Sequence, residues 1–323
     1  MVITLRSRRG KPRRVGVVLG AGGVLGAAWS AGALTALQQR LDLPLSAADV
    51  IVGTSSGSVL AAALRCGVDV AEIVEHQRAG GLAALPDPAG SRPPEPRLRC
   101  GSPRLLASTA RAARKVHPWV AASALIPPGR ASHASLSQLV DGLLARSSPA
   151  EAAWPQRPTW IVAVDYDSGR RVAFGRTGAP EVTLPDAVVA SCSIPGWYEP
   201  KQIGDRRYID GGIRSSTSLG LLSRVRLDDV FVLAPMASFA PDKPRNPAWR
   251  AERLLRQFLT NALVAEARKV ADATGARVHA LTPGADDLAV MGMNLMDQGR
   301  RGLVLETSLA TSPGQVAGLA LAA

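Results

Sequence analysis

The chain has 323 residues, 46% hydrophobic and 20% charged, a balance that excludes a disordered protein and belongs to a folded one. A chain of this length can bury about 75% of its unfolded surface, enough for one large domain or two small ones. Cys66, Cys100 and Cys192 form an odd set with no CxxC pair and no cysteine–histidine cluster. That argues against a disulfide framework or structural zinc site and for a reducing compartment, the cytoplasm.

The formal net charge is +12, and it is localised. Residues 1–14 hold Arg6, Arg8, Arg9, Lys11, Arg13 and Arg14 and no acid. Residues 91–130 hold eight bases against Glu95, and the remaining body is close to neutral. Two basic patches on a neutral body suit peripheral contact with an anionic membrane, or a solvated tail and loop. Nucleic acid is not expected as a partner, because no aromatic residues interleave the bases.

Val15 to Gln39 contains no charge and follows the basic run, a pattern shared by export signals and membrane spans. Its glycines make a poor membrane helix, and the stretch reads as strand, loop and helix: Val15–Leu19 a buried strand, Val24–Leu41 a helix. Asp49–Gly53 is a second strand and Ser58–Cys66 a second helix. Asp69 then caps a third, with Glu72 completing a capping box. This alternation predicts an α/β domain over 15–323 with a parallel sheet and right-handed crossovers.

Residues 80–102 are broken by five prolines, so an irregular loop is expected. A helical pattern resumes over 103–117, with Leu105, Leu106, Thr109, Ala113 and Val116 on one face and Arg104, Arg111, Arg114 and Lys115 around it. Pro127, Pro128 and Gly129 end it. The segment 80–130 thus reads as a Pro-rich basic insertion over the body, a candidate lid that meets lipid. Thr159–Val164 and Arg171–Phe174 bracket the acidic turn Asp165–Gly169 and predict a hairpin; the turn lacks the remaining ligands of a calcium loop. Further strands are expected at Arg206–Asp210, Asp229–Ala234 and Arg277–Leu281. A long amphipathic helix is expected over Trp249–Ala273, with Leu255, Phe258, Leu259, Leu263 and Val270 on its apolar face.

Gly53-Thr54-Ser55-Ser56-Gly57 fits G-x-S-x-G, and it stands between a buried strand and a helix. A tight elbow there exposes the serine hydroxyl, so Ser55 is the candidate nucleophile. Gly20-Ala21-Gly22-Gly23-Val24-Leu25-Gly26 also joins a strand to a helix, and such a loop presents successive N–H groups to phosphate or to a developing oxyanion. Leu25 stands where a dinucleotide fingerprint needs glycine, and Gly53 where it needs an acid. An oxyanion hole at Gly22, Gly23 and Val24 fits better. For a base, the order Ser55, Asp210, His279 would permit a triad, but His279 lies within an alternating strand. The alternative is Asp210-Gly211-Gly212, which puts a carboxylate at a strand end where it can act on the serine directly.

The glycine loop, G-x-S-x-G and D-G-G, in this order, resemble the patatin-like phospholipase family. The segment from Ala190-Ser191-Cys192-Ser193-Ile194-Pro195 to Pro200 looks like that family's signature ahead of D-G-G. The resemblance spans residues 20–212. It implies a three-layer α/β sandwich with a mostly parallel central sheet. It also implies an acyl hydrolase acting on lipid esters without calcium or cofactor, through a Ser55–Asp210 dyad and an acyl-enzyme. Many members carry Arg or Lys in the glycine loop where this chain has Leu25; backbone donors survive that change. Cys192 then reads as packing and Asp186 as a helix-start acid. Two competitors stand beside this reading: a non-catalytic regulator or membrane-surface binder on the same fold, and a nucleotide-binding oxidoreductase. Oligomeric state is not legible.

Overall fold

A computed structural model describes residues 13–41, 43–80, 102–111, 116–146, 154–240 and 246–319. Short apolar runs become the strands β1 (Val15–Leu19), β2 (Val50–Thr54), β3 (Thr159–Asp165), β4 (Arg171–Phe174), β5 (Lys201–Ile203), β6 (Arg206–Asp210), β7 (Asp229–Leu233) and β8 (Arg277–Leu281). They form one sheet in the order β5-β6-β3-β2-β1-β7-β8, with β4 paired to β3. The run β3-β2-β1-β7-β8 is parallel, whereas β4, β5 and β6 pair antiparallel. β1, β2, β3 and β7 are buried at every position, as strands covered on both faces must be.

The helices are α1 (Gly23–Leu41), α2 (Ser56–Arg65), α3 (Val70–Arg78), α4 (Pro103–Arg111), α5 (Pro118–Ser123), α6 (Ala134–Leu144), α7 (Leu184–Ser191), α8 (Pro247–Thr274), α9 (Ala285–Met291) and α10 (Arg301–Ala317). Alternate side chains of each strand serve opposite faces. Val17, Leu19, Ile51 and Phe231 pack with Leu34 of α1, Leu60 of α2 and Leu305 of α10. Val18, Val52, Val230 and Val232 pack with Leu263 and Val270 of α8. The result is the three-layer α/β sandwich. α10 lies close on α1 because position 32 is glycine: a Cβ there would meet Ser308 Oγ at 2.5 Å. Ser308 uses that approach to donate to the Trp29 carbonyl at 2.7 Å.

The uncharged stretch from Val15 is therefore core, folded into β1 and α1. No helix among the described residues is long and apolar enough to cross a membrane. Most of the basic tail lies outside the described residues, but Arg13 pairs with the buried Asp229 at 2.7 Å and Arg14 N–H donates to Asp228 at 2.8 Å. Those two bases belong to the body. The irregular loop lies largely outside the described residues.

Two expectations need correction. The helix expected over 103–117 is seen over Pro103–Arg111, residues 112–115 lie outside the described residues, and Val116 and His117 are not helical; α5 starts afresh at Pro118, where the proline ring suits a first helical position. The apolar face assigned to the long helix is also partly wrong, since Leu255 and Phe258 are each 46% exposed. The first half of α8 overlies the loop after β7. Its inward residues are Arg256, which donates to the Pro235 carbonyl at 2.7 Å, and Thr260, which donates to the Ser238 carbonyl at 3.1 Å. Polar side chains face inward there because loop carbonyls need donors. α6, α9, α10 and the edge strand β5 were not anticipated from the sequence.

Candidate active site

The sheet register brings the motifs together. β4 occupies one edge of β3, pairing Ile161–Val164. The other edge is shared: β2 ends there with Thr54 opposite Val162, and β6 ends there with Asp210 opposite Ala163. The two strands run towards each other and stop end to end. Ser55 follows the last residue of β2, and Asp210 is the last residue of β6. The turn after β6 fits this junction only without a side chain, since a Cβ at Gly211 would meet the Val162 carbonyl oxygen at 2.4 Å.

Ser55 sits at φ 54°, ψ −127°, a conformation that L residues rarely adopt. Such strain persists only where the surroundings hold it. Ser55 N–H donates to Ser191 Oγ at 2.8 Å, and Ser191 Oγ donates to the Val162 carbonyl at 2.6 Å. Ser58 Oγ donates to the Ser55 carbonyl at 2.6 Å. Ser55, at the N-terminus of α2, lies beside the Asp210 carboxylate.

Asp210 is buried, and its backbone N–H is tied to the Ser193 carbonyl at 3.0 Å. Burial raises its carboxyl from 3.8 to about 6, against the lowering effect of hydrogen bonds from Ser55 and the Gly212 N–H. Gly212 N–H donates to Oδ1 at 2.7 Å, which fixes the carboxylate plane. A buried carboxyl poised near neutrality can exchange a proton with a hydroxyl beside it. Cys192 lies beside the pair, with its thiol 3.7 Å from Ser58 Oγ; burial, then the Asp210 charge, push the thiol's pKa up and keep it protonated.

The glycine loop divides by function. The N–H groups of Gly20, Ala21, Leu25 and Gly26 donate to the carbonyls of Leu233, Ser216, Leu295 and Gly22. Those of Gly22, Gly23 and Val24 donate to no carbonyl among the described residues, as befits the first turn of a helix. Gly23 has φ +61°, which only glycine adopts freely, and the Pro235 ring packs over Gly22 and Gly26. The loop thus offers a short run of free N–H groups at the positive end of α1.

The histidines stand elsewhere. His279 Nε2 is 3.0 Å from Asp229 Oδ1, and its ring stacks on Phe231. Asp229 is the first residue of β7, whereas Ser55 follows the last residue of the parallel β2, so this pair sits at the opposite end of the sheet. His133 stacks on Tyr198 and bonds Ser193 Oγ at 3.0 Å; burial, then Lys201, push it down to about 4. The acidic turn is committed to structure, with Arg206 on Asp165 at 2.7 Å and Arg207 on Asp167. Among the described residues no cluster of histidine, cysteine and carboxylates could hold a metal ion. Sequence reasoning missed Ser191 and Ser193. Their signal was present, because the segment 190–200 is diagnostic for a physical reason: one member braces the serine elbow and another braces Asp210.

A cavity of about 600 Å³ opens from Ser55. Val59, Leu60, Ile73, Leu136, Leu139 and Leu143 give it an apolar lining.

A family model described as Patatin-like phospholipase matches residues 17–99 and 161–222. No curated protein gives a significant match. Among solved structures, VipD from Legionella pneumophila is similar at 14% identity and a TM-score of 0.46; the alignment covers 97% of this chain and 69% of VipD. ExoU from Pseudomonas aeruginosa, in complex with SpcU, is similar at 17% identity and a TM-score of 0.39, covering 92% of this chain and 53% of that one.

Proposed function

The chain belongs to the patatin-like phospholipase family, a family of lipid ester hydrolases, and on that premise we propose that it is a serine acyl hydrolase working through a Ser55–Asp210 dyad and an acyl-enzyme. The observation that carries the reading is the junction of β2 and β6, which sets a strained, braced serine beside a buried carboxyl held near neutrality. As the Ser55 oxygen attacks the ester carbonyl carbon, Asp210 takes the hydroxyl proton. The carbonyl oxygen becomes an oxyanion held by the N–H groups of Gly22, Gly23 and Val24. Collapse breaks the ester C–O bond, and the departing alkoxide receives the proton from Asp210. Water, deprotonated by the same carboxylate, then attacks the acyl-enzyme; the acyl C–O bond to Ser55 breaks, the Ser55 oxygen takes the proton back from Asp210, and a fatty acid is freed. Loss of one oxyanion donor typically slows such chemistry by about 10²–10³. No cofactor enters this scheme.

The direct test is acyl-ester hydrolysis by the purified protein together with fluorophosphonate labelling. Stoichiometric covalent labelling located at Ser55 by peptide mapping is the expected result. A protein that neither labels nor hydrolyses any ester fits the competing reading as a non-catalytic regulator.

We also propose that the protein works at an anionic bilayer. Trp119 and Phe258 meet edge to face at 6.1 Å, and both are about half exposed, as is Leu255. α5 and the first half of α8 carry this apolar patch, and Arg130, which follows α5 in the chain, and Arg250 of α8 are exposed, a composition that suits an interfacial contact. Arg104, on the first turn of α4, is also exposed, whereas the side chains of Arg111, Arg114 and Lys115 lie outside the described residues. Replacing Trp119 and Phe258 together by alanine should weaken partitioning onto anionic vesicles about tenfold in sedimentation, from the apolar area withdrawn. Unchanged partitioning would dismiss the patch.

A further inference from the structure

Resting on the acyl-hydrolase reading, we propose that the cavity is an acyl tunnel of fixed length, that Gly142 and the Arg146–Glu72 ion pair form its far end, and that this end sets the longest fatty acyl chain the site accommodates.

The order of residues along two helices defines the direction. On α2 the lining starts at Ser55 and Ser56 and continues through Val59 and Leu60 to Ala63. α6 is preceded by Ala131, which bridges to Tyr198 in the segment that braces the site. Its lining starts at Ser132 and Ser135, passes Leu136 and Leu139, and reaches Gly142 and Arg146. Both helices therefore place hydroxyls beside Ser55 and aliphatic groups away from it. α3 meets the far end, where Glu72 Oε2 accepts from Arg146 Nη2 at 2.7 Å. That pair is about half exposed, so the apolar path stops at solvent there.

Length follows from helix geometry. Ser56 to Ala63 and Ser135 to Gly142 each advance about 10 Å, and Arg146 lies about 6 Å further. An extended acyl chain advances about 1.25 Å per carbon, which places about the eighth carbon at Gly142 and about the thirteenth at the ion pair. Methylenes within this span leave water for an apolar wall; those beyond it do not.

Gly142 is the point at which the tunnel can be plugged. It lines the cavity, and a Cβ there meets nothing within 4 Å. A larger residue gains helix propensity and projects into empty space.

The test uses Ser55→Ala protein titrated with saturated fatty acids of increasing length, in parallel with hydrolysis of p-nitrophenyl esters by protein with Ser55 intact. Affinity should rise about fourfold per methylene (about 0.8 kcal/mol) and flatten near about thirteen carbons. With Gly142→Phe the flattening should move to about eight carbons, and the ratio of kcat/KM for an ester of about thirteen carbons over one of about eight should fall about a thousandfold. Gly142→Leu should give an intermediate shift and serves if the phenylalanine variant fails to fold. A flattening point that stays put in a folded variant overturns the tunnel. Chain-length-dependent binding that shifts with Gly142 while no ester is cleaved leaves the tunnel standing and removes the hydrolase reading instead.

Discussion

Ser55→Ala should reduce acyl-ester turnover by about 10⁴–10⁶-fold, the effect seen when a nucleophile that acts with its base as a unit is removed. The residual rate would come from the oxyanion donors and from binding, which the substitution leaves in place. Alanine retains Cβ, so the left-handed backbone at φ 54° remains strained and the fold should melt where the parent does. Ser55→Gly should be equally inactive but should melt higher, because glycine adopts that conformation without the penalty of about 1–3 kcal/mol. Paired measurements of turnover and melting therefore separate a lost nucleophile from a damaged fold. Turnover within tenfold of the parent in either variant would remove Ser55 from the mechanism.

What the sequence disclosed follows the range of the forces involved. β1, α1, β2 and α2 are local: apolar runs and glycine punctuation specify them, and the structure places each within two residues or so of its expected bounds. The elbow and the D-G-G turn were legible because steric demands at Gly53, Gly57 and Gly211 admit no other residue. Long-range facts were not legible. Nothing in the local pattern says that β2 and β6 meet end to end on one edge of β3, or that Ser191 and Ser193 brace the two halves of the site. The long helix misled for the same reason. Its periodicity shows an apolar stripe, but the stripe's first half has no sheet beneath it, so Arg256 and Thr260 turn inward to loop carbonyls. α6 does carry a regular stripe, Leu136, Leu139, Val140, Leu143 and Leu144, which the sequence reading passed over; Val140 packs in the core while Leu136, Leu139 and Leu143 also line the cavity.

Asp210→Asn should abolish turnover by about 10³–10⁵-fold while stabilising the protein, and the two effects share one cause. The carboxyl is held at about 6 by burial, against 3.8 for an unburied one. Only the ionised form can take the Ser55 proton, so kcat/KM of the parent should climb tenfold per pH unit up to about pH 6 and level off above it. The same shift opposes folding at neutral pH. Below pH 3.8 the group is protonated in both states and has no effect; between 3.8 and about 6 the unfolded chain releases a proton that the folded one retains. Above pH 6 the fold bears the whole penalty, about 3 kcal/mol at 1.36 kcal/mol per unit. Asparagine is neutral and can still accept the Gly212 N–H, so it escapes that penalty. The variant should melt several degrees above the parent at pH 8, and the gain should vanish towards pH 4. His279→Gln, at the other end of the sheet, should leave both the rate and its pH profile in place. A parent rate independent of pH between 5 and 8, or an active Asp210→Asn variant beside a dead His279→Gln one, would return the base to histidine.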